Sequence, residues 1–306
     1  MTIPLDETYT NALYLAITDV WPDHRKYLKN TFSQRSAEVA ESVEKIASLI
    51  IKLTGKNLNS FCHDYKWTCE KLLEEELHFR RYGTYRLSTL KESMEHVYSR
   101  PDFMRPYLNG LLLSQVAWDN HACVFDYYLR NFLPLLPKNT RHLEIGPGHG
   151  LFLYFASQHP SVKSSHAWDV SETAIDQTKK ALEMLASKPC NLMVADIHSP
   201  PQIKNKFNSI VLSEILEHLE NPIDALKGLK KFLTYDGKIF INVPVNSPAP
   251  DHIFLLKTPK EALDLLKKAG YKIEASKFFP AGGYNLEKAL KKKVTISCGI
   301  IASLKN

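Results

Sequence analysis

Apolar residues in the first part of the chain recur with the period of a helix. Val39, Val43, Ile46, Ile50 and Leu53 follow at steps of four, three, four and three. That spacing lines one face of an amphipathic helix, and Gly55 is placed to cap it. Cys69 to Tyr82 is charged and rich in helix formers, and predicts a second helix stopping at Gly83. Pro106 to Leu133 predicts a longer, more buried helix that ends before Pro134. Nothing before residue 140 alternates as a strand would, and no segment repeats. The pattern predicts an all-helical N-terminal domain over residues 1–137.

Beyond Pro137 the grammar changes. Arg141–Ile145, His166–Asp169, Leu192–Ala195, Ser209–Ser213 and Lys238–Val243 read as strands. Between and after them, Leu151–Gln158, Glu172–Ala186, Pro222–Leu233 and Pro259–Ala269 read as helices. Tyr271–Ser276 and Val294–Ile301 close the chain as two late strands, near enough in sequence for an antiparallel hairpin at a sheet edge. Strand–helix alternation means a parallel sheet covered on both faces. The expected fold class is α/β, a Rossmann-like doubly wound sheet over residues 138–306 behind the helical domain.

A chain of 306 residues suits two such domains. With 44% hydrophobic and 24% charged residues it is neither disordered nor fibrous. No run of about 20 apolar residues is present, so no membrane span is expected. Met1-Thr-Ile-Pro-Leu-Asp-Glu lacks the basic and apolar regions of a secretory leader, and the expected location is cytoplasmic. Five cysteines without a Cys-x-x-Cys pair argue against a disulfide scaffold or a thiolate zinc site. The net charge of +6 is uneven: residues 1–137 carry 16 Lys/Arg against 17 Asp/Glu, and residues 138–306 carry 23 against 16. The basic second half suits an anionic partner or a solvated lysine surface, and lysines such as Lys227, Lys230 and Lys231 on helical faces fit the latter.

The first strand of the second half ends in Gly146-Pro-Gly148-His-Gly150. Glycine lets the backbone turn tightly and approach a ligand with no Cβ in the way. A dinucleotide site would show Gly-x-Gly-x-x-Gly, whereas the spacing here is Gly-x-Gly-x-Gly, a weak signal alone. The next strand ends in Asp169, 23 residues beyond Gly146, where a carboxylate can accept both ribose hydroxyls. The third ends before Asp196, which can accept from an adenine amino group. Three successive strand ends of this kind define one nucleoside cleft.

On Leu143-Glu-Ile-Gly-Pro-Gly-His-Gly, Trp168-Asp-Val-Ser-Glu-Thr-Ala and Gly237-Lys-Ile-Phe-Ile-Asn-Val-Pro, residues 140–301 resemble the class I S-adenosylmethionine-dependent methyltransferases. The resemblance implies the methionine part over Gly146, Gly148 and Gly150, with Glu144 and Ser213 at neighbouring strand ends. It implies the ribose on Asp169 and the adenine beside Val170, Asp196 and Ile197. His149 departs from the small or hydroxyl residue common there, and either faces the cofactor or fills the turn. In that family the preceding helices cover the cofactor and build the acceptor pocket, which makes Tyr82, Tyr85, Arg86 and His121 candidates, Arg86 for a carboxylate. Phe278-Phe-Pro-Ala-Gly-Gly-Tyr284 is a second candidate lid.

Ser213-Glu214-Ile-Leu-Glu217-His218 follows the fourth strand. Positions i, i+3 and i+4 share a helix face, so Glu214, Glu217 and His218 are expected to point one way. Two carboxylates and an imidazole on one face call for a cation among them; a packing or acid/base histidine is the other reading. Glu-x-x-Glu-His is similar to a cluster in the ubiquinone-pathway O-methyltransferase group and in small-RNA 3′-end 2′-O-methyltransferases. That resemblance implies a divalent metal on Glu214, Glu217 and His218, joined by a later histidine, here His252. Mixed oxygen and nitrogen ligands suit Mg²⁺, Mn²⁺, Fe²⁺ or Zn²⁺. The expected function is methyl transfer from S-adenosyl-L-methionine to an oxygen of a small-molecule acceptor, with a divalent metal activating the hydroxyl. The alternative is a metal-independent small-molecule N- or O-methyltransferase with His218 or His252 as base. An RNA 2′-O-methyltransferase would need a basic helical half, so nucleic acid is not the expected partner; a homo-oligomer is left open.

Overall fold

The computed structural model describes residues 8–305; the segment 1–7, read above as lacking a leader's pattern, lies outside them. Thr8 starts α1 (Tyr9–Val20) by accepting the Asn11 amide, and α2 (Arg25–Ser33) follows a short turn. α3 (Ala37–Thr54) is the helix of four-three spacing. It buries Val43, Ile46 and Ile50, is capped by Ser36, and ends at Gly55 with φ 49°. α4 (Leu58–Tyr82) begins well before Cys69, because Cys62, Tyr65 and Thr68 bury an apolar face that the charged half of the helix hides in sequence. α5 (Leu90–Ser93) is a single turn fixed by the reciprocal bonds of Thr89 and Glu92.

The single helix expected over Pro106–Leu133 is two, α6 (Pro101–Ala117) and α7 (Asp119–Tyr127), the second running into a π-helical turn. Trp118 between them is extended (φ −104°, ψ 134°). Its indole N–H donates to the Tyr65 hydroxyl at 2.9 Å, and Arg35 donates to the Val116 carbonyl at 2.6 Å. Arg35 thus takes over the Val116 carbonyl that a continuous helix would have bonded, and the indole anchors the break.

The second half supplies β1 (Thr140–Ile145), α8 (Leu151–Gln158), β2 (Val162–Asp169), α9 (Glu172–Met184), β3 (Cys190–Val194), β4 (Phe207–Ser213), α10 (Pro222–Leu229), β5 (Leu233–Val245), α11 (Pro259–Lys268), β6 (Tyr271–Pro280), α12 (Leu286–Lys292) and β7 (Ile296–Leu304). They form one seven-stranded sheet in the order β3-β2-β1-β4-β5-β7-β6. The pairings among β3, β2, β1, β4 and β5 are parallel. β7 runs antiparallel between β5 and β6, so the expected late hairpin is inserted into the sheet and leaves β6 at the edge.

Strand alternation sorts the two cores. Val211 and Phe240 join Ile301 in a cluster with Leu13, Ile46, Phe125, Phe132 and Phe152, which brings α1, α3, α7 and α8 onto one face of the sheet. Their neighbours Ile210, Leu212, Ile239 and Ile241 point the other way, to Leu226, Leu229 and Leu266 of α10 and α11. The helical half is therefore a layer on the sheet, and Tyr127 and Phe132 pack on Phe240 at ring distances of 6.2 and 5.3 Å. Among the described residues no helix is long and apolar enough to cross a membrane.

Candidate active site

The carboxyl ends of β1, β2 and β4 open onto a cavity of about 250 Å³, roofed by α6 and α7. This is the place where a doubly wound sheet reverses its winding and binds ligands. Gly146, Gly148 and Gly150 have φ of 66°, 48° and 77°, a conformation that side chains disfavour. A Cβ on Gly146 would come within 2.0 Å of Ile215 Cδ1. Gly146 and Gly148 line the cavity, whereas Gly150 stands behind it at the start of α8. His149 both faces the cavity and fills the turn, its Nδ1 accepting the Leu151 amide at 3.2 Å; burial lowers its pKa to about 4 and keeps it neutral.

Asp169 lines the cavity with Val170, Asp196, Ile197, Ser213 and Glu144. One of its oxygens accepts the Ser171 amide at 2.8 Å, and burial raises its pKa to about 6. Glu144 is buried with Oε2 unpartnered, and desolvation pushes its carboxyl well above the ordinary range. An acid with an oxygen to spare, above a loop kept open by glycines, fits a bound nucleoside.

The acidic cluster is built differently from the expected helix face. Glu214 is left-handed (φ 54°), its amide still donating to Asn242 across the sheet at 2.9 Å. Helical geometry starts only at Leu216 and lasts one 3-10 turn, to His218. Sheet pairing has consumed the residue that should have opened the helix. Glu214 Oε1 accepts from Asn242 Nδ2 at 2.7 Å, and burial raises its pKa to about 7. Glu217 turns inward and is 0% exposed. Its carbonyl accepts both the Ile253 and Phe254 amides at 2.9 Å, which draws the loop after β5, and His252 with it, onto the turn.

Glu217, His218 and His252 each offer a ligand atom within 4.8 Å of the others. Glu214 stands beside this set, held by Asn242, so three of the four expected ligands converge. The tautomers follow from the partners. His252 Nδ1 lies 2.6 Å from the Ser247 carbonyl, which can only accept, so Nε2 carries the lone pair. His218 Nδ1 lies 3.1 Å from the Asp251 carbonyl and 3.0 Å from the Tyr98 oxygen, so its Nε2 is bare as well. Both Nε2 atoms are 3.9 Å from Glu217 Oε1. No N–H or hydroxyl group reaches either Glu217 oxygen; burial, then the neighbouring Glu214 carboxyl, raises its pKa well above the ordinary value. Two bare imidazole nitrogens and a buried carboxyl with no N–H donor form a set that a divalent cation would satisfy by displacing the carboxyl proton.

Asp251, Tyr98, Tyr107 and Asn242 escaped the sequence reading. Tyr98 and Tyr107 donate to the two oxygens of Asp251 at 3.1 and 3.0 Å. Burial opposes the charge on Asp251, and the hydroxyls of Tyr107 and Tyr98 support it. The signal for Asn242 was a polar residue inside the apolar run Ile239–Val243; the two tyrosines gave none.

Of the helical candidates, His121 lines the cavity, its Nδ1 2.9 Å from Ser114 Oγ. Tyr85 does not: it accepts the Ser247 amide at 3.0 Å and packs edge-on to His252, bracing that loop. Arg86 is turned outward into an ion pair with Glu75 at 2.9 Å, and Tyr82 is exposed beside His78. No residue of Phe278–Tyr284 lines the cavity; Phe279 packs on Tyr127, so this segment is not its lid.

A family model described as "Methyltransferase domain" matches residues 118–280. No curated protein matches the chain. Among solved structures it is similar to the YcgJ protein of Bacillus subtilis (14% identity, 59% of this chain and 98% of that one, TM-score 0.47). It is also similar to a TehB-like SAM-dependent methyltransferase of Corynebacterium glutamicum (15%, 58% and 86%, TM-score 0.42). A third is a SAM-dependent methyltransferase of Aquifex aeolicus (18%, 54% and 84%, TM-score 0.43). With more than half of its length matched, over the strands that carry the glycine loop, Asp169 and Glu217, the chain belongs to the methyltransferase-domain family and is an S-adenosylmethionine-dependent methyltransferase.

Proposed function

We propose that this enzyme methylates a hydroxyl oxygen of a small-molecule acceptor, with a divalent metal held by Glu217, His218 and His252. The observation that carries the reading is the convergence of two bare Nε2 atoms on the fully buried carboxyl of Glu217. Bound S-adenosylmethionine supplies an electrophilic methyl, and a divalent ion in this set lowers the pKa of a hydroxyl beside it. The chain's own part is to position. Asp169 receives the ribose hydroxyls, and the glycine loop admits the methionine portion with Glu144 and Ser213 beside it. Val170, Asp196 and Ile197 flank the base. Asp251 and Ser247 hold the Nδ1 protons of His218 and His252 outward. The roof of α6 and α7 keeps water from the acceptor, and much of the rate comes from aligning the reactants.

A second reading, metal-independent O- or N-methylation with His218 as base, is favoured by the same Asp251 contact, since it leaves Nε2 free to take a proton. Titrating the metal-stripped protein with Mg²⁺, Mn²⁺, Fe²⁺ and Zn²⁺ in a calorimeter separates the two. One site per chain, abolished in Glu217→Gln, is the expected result. Full turnover in the stripped enzyme with no binding isotherm would establish the histidine-base reading instead.

A further inference from the structure

We infer that the acceptor is an uncharged hydroxyl compound whose carbon skeleton lies along α6. The inference rests on the reading of this cavity as the place of methyl transfer to a small molecule. Its roof is apolar: Met104, Leu108 and Leu111 recur at steps of four and three on one face of α6, and Val124 joins them from α7. The polar groups among them are already engaged or neutral. Gln115 donates to the Leu111 carbonyl at 3.2 Å, and the Tyr98 and Tyr107 hydroxyls are bound to Asp251. His121 is kept neutral by burial, which lowers its pKa to about 3.

The carboxyl groups facing the cavity come from the strand ends and the loops that follow them. Glu144, Asp169, Asp196, Glu214 and Asp251 line it. All 39 lysines and arginines of this basic chain lie among the described residues, yet none is in the lining. A carboxylate or phosphate held against α6 would shed water and find no lysine or arginine there. Burial of a charge without a partner is strongly unfavourable. Arg86, the cation expected to receive such a group, is committed to Glu75 outside the cavity. An ammonium group against α6 would find only Asp251, whose two oxygens already accept from Tyr98 and Tyr107. Methionine and leucine side chains instead favour hydrocarbon, at roughly 25 cal/mol per Å² buried.

Three matched probes test this by equilibrium dialysis at pH 7.5 against the metal-stripped protein saturated with S-adenosylhomocysteine: 2-naphthol, 6-hydroxy-2-naphthoate and 2-naphthylmethylamine. The naphthol should bind at least tenfold more tightly than either charged probe. Leu111→Arg should invert the naphthol-to-naphthoate preference; the wild-type ranking stands even should this variant not fold. A charged probe binding as tightly as the naphthol, or no saturable binding of any probe, overturns the inference. S-adenosylhomocysteine affinity is measured separately and no metal is present. Failure of the methyl-transfer reading or of the metal therefore shows up elsewhere than in the probe ranking.

Discussion

Asp169 shows how a single side chain at a strand end carries a ligand. Burial works against its charge and the Ser171 amide supports it, leaving a carboxyl with a pKa of about 6. In the proposed contact the ionised form accepts both ribose hydroxyls. Hydrogen bonds to a charged group contribute about 1.5–3 kcal/mol each, so Asp169→Ala should weaken S-adenosylhomocysteine binding by roughly tenfold or more. The sign of the pH effect follows from the raised value. Protonation below about 6 removes acceptor capacity, so wild-type affinity should fall as pH drops from 7 to 5. Asp169→Asn should flatten that dependence. Calorimetric titration of both proteins across this range checks the pair; equal affinity in Asp169→Ala would remove the ribose assignment.

At the scale of elements, the roof depends on how closely α6 approaches α4. Gly110 makes that approach possible: a Cβ there would lie 2.1 Å from Thr68 Oγ1 and 2.6 Å from Thr68 Cβ. Thr68 is fully buried, and its hydroxyl donates to the Asp64 carbonyl at 2.9 Å, so it has little room to yield. Gly110→Ala should destabilise the protein by about 1–3 kcal/mol, as overpacking of a closed interface does. Denaturant unfolding reads this directly. S-adenosylhomocysteine affinity should stay within about twofold in the folded variant, because Asp169 and the glycine loop stand on β2 and β1 rather than on α6.

For the molecule as a whole, the apolar packing between its halves is joined by a buried polar link. Tyr98 and Tyr107 come from the helical half, Asp251 from the loop after β5, and His218 from the turn after β4. Removing both hydroxyls in Tyr98→Phe/Tyr107→Phe leaves Asp251 charged and without its donors. At about 1.5–3 kcal/mol per bond, that should cost roughly 3–6 kcal/mol of stability. Asp251→Asn keeps the backbone carbonyl that holds His218 Nδ1 and removes only the carboxylate charge 3.5 Å from it, so it should lower divalent-metal affinity by less than about tenfold. Cofactor affinity should be unchanged. Thermal unfolding and metal titration test the two expectations separately.

Local patterning was enough to predict the α/β class, the helical layer ahead of it, the glycine loop and the two acids at the ends of the second and third strands. Each depends on residues near one another in the chain: apolar period, glycine at a turn, a carboxylate where a strand stops. The break at Trp118, the length of α4 and the place of β7 between β5 and β6 depend on distant partners such as Arg35, Tyr65 and β5. The site divides in the same way. Glu217, His218 and His252 were legible as chemistry, but their geometry was not, since Glu214 joins the sheet pairing with Asn242 and leaves only one helical turn. Tyr98, Tyr107 and Asp251 lie far apart in sequence and obey no local period. Arg86 looked like a ligand for an anion until Glu75, eleven residues earlier, was found to hold it. Sequence spacing determines what a segment can form by itself. Which polar groups end up buried together is decided by the packing of the helical layer on the sheet, because only there do their hydrogen-bond requirements have to be met by one another.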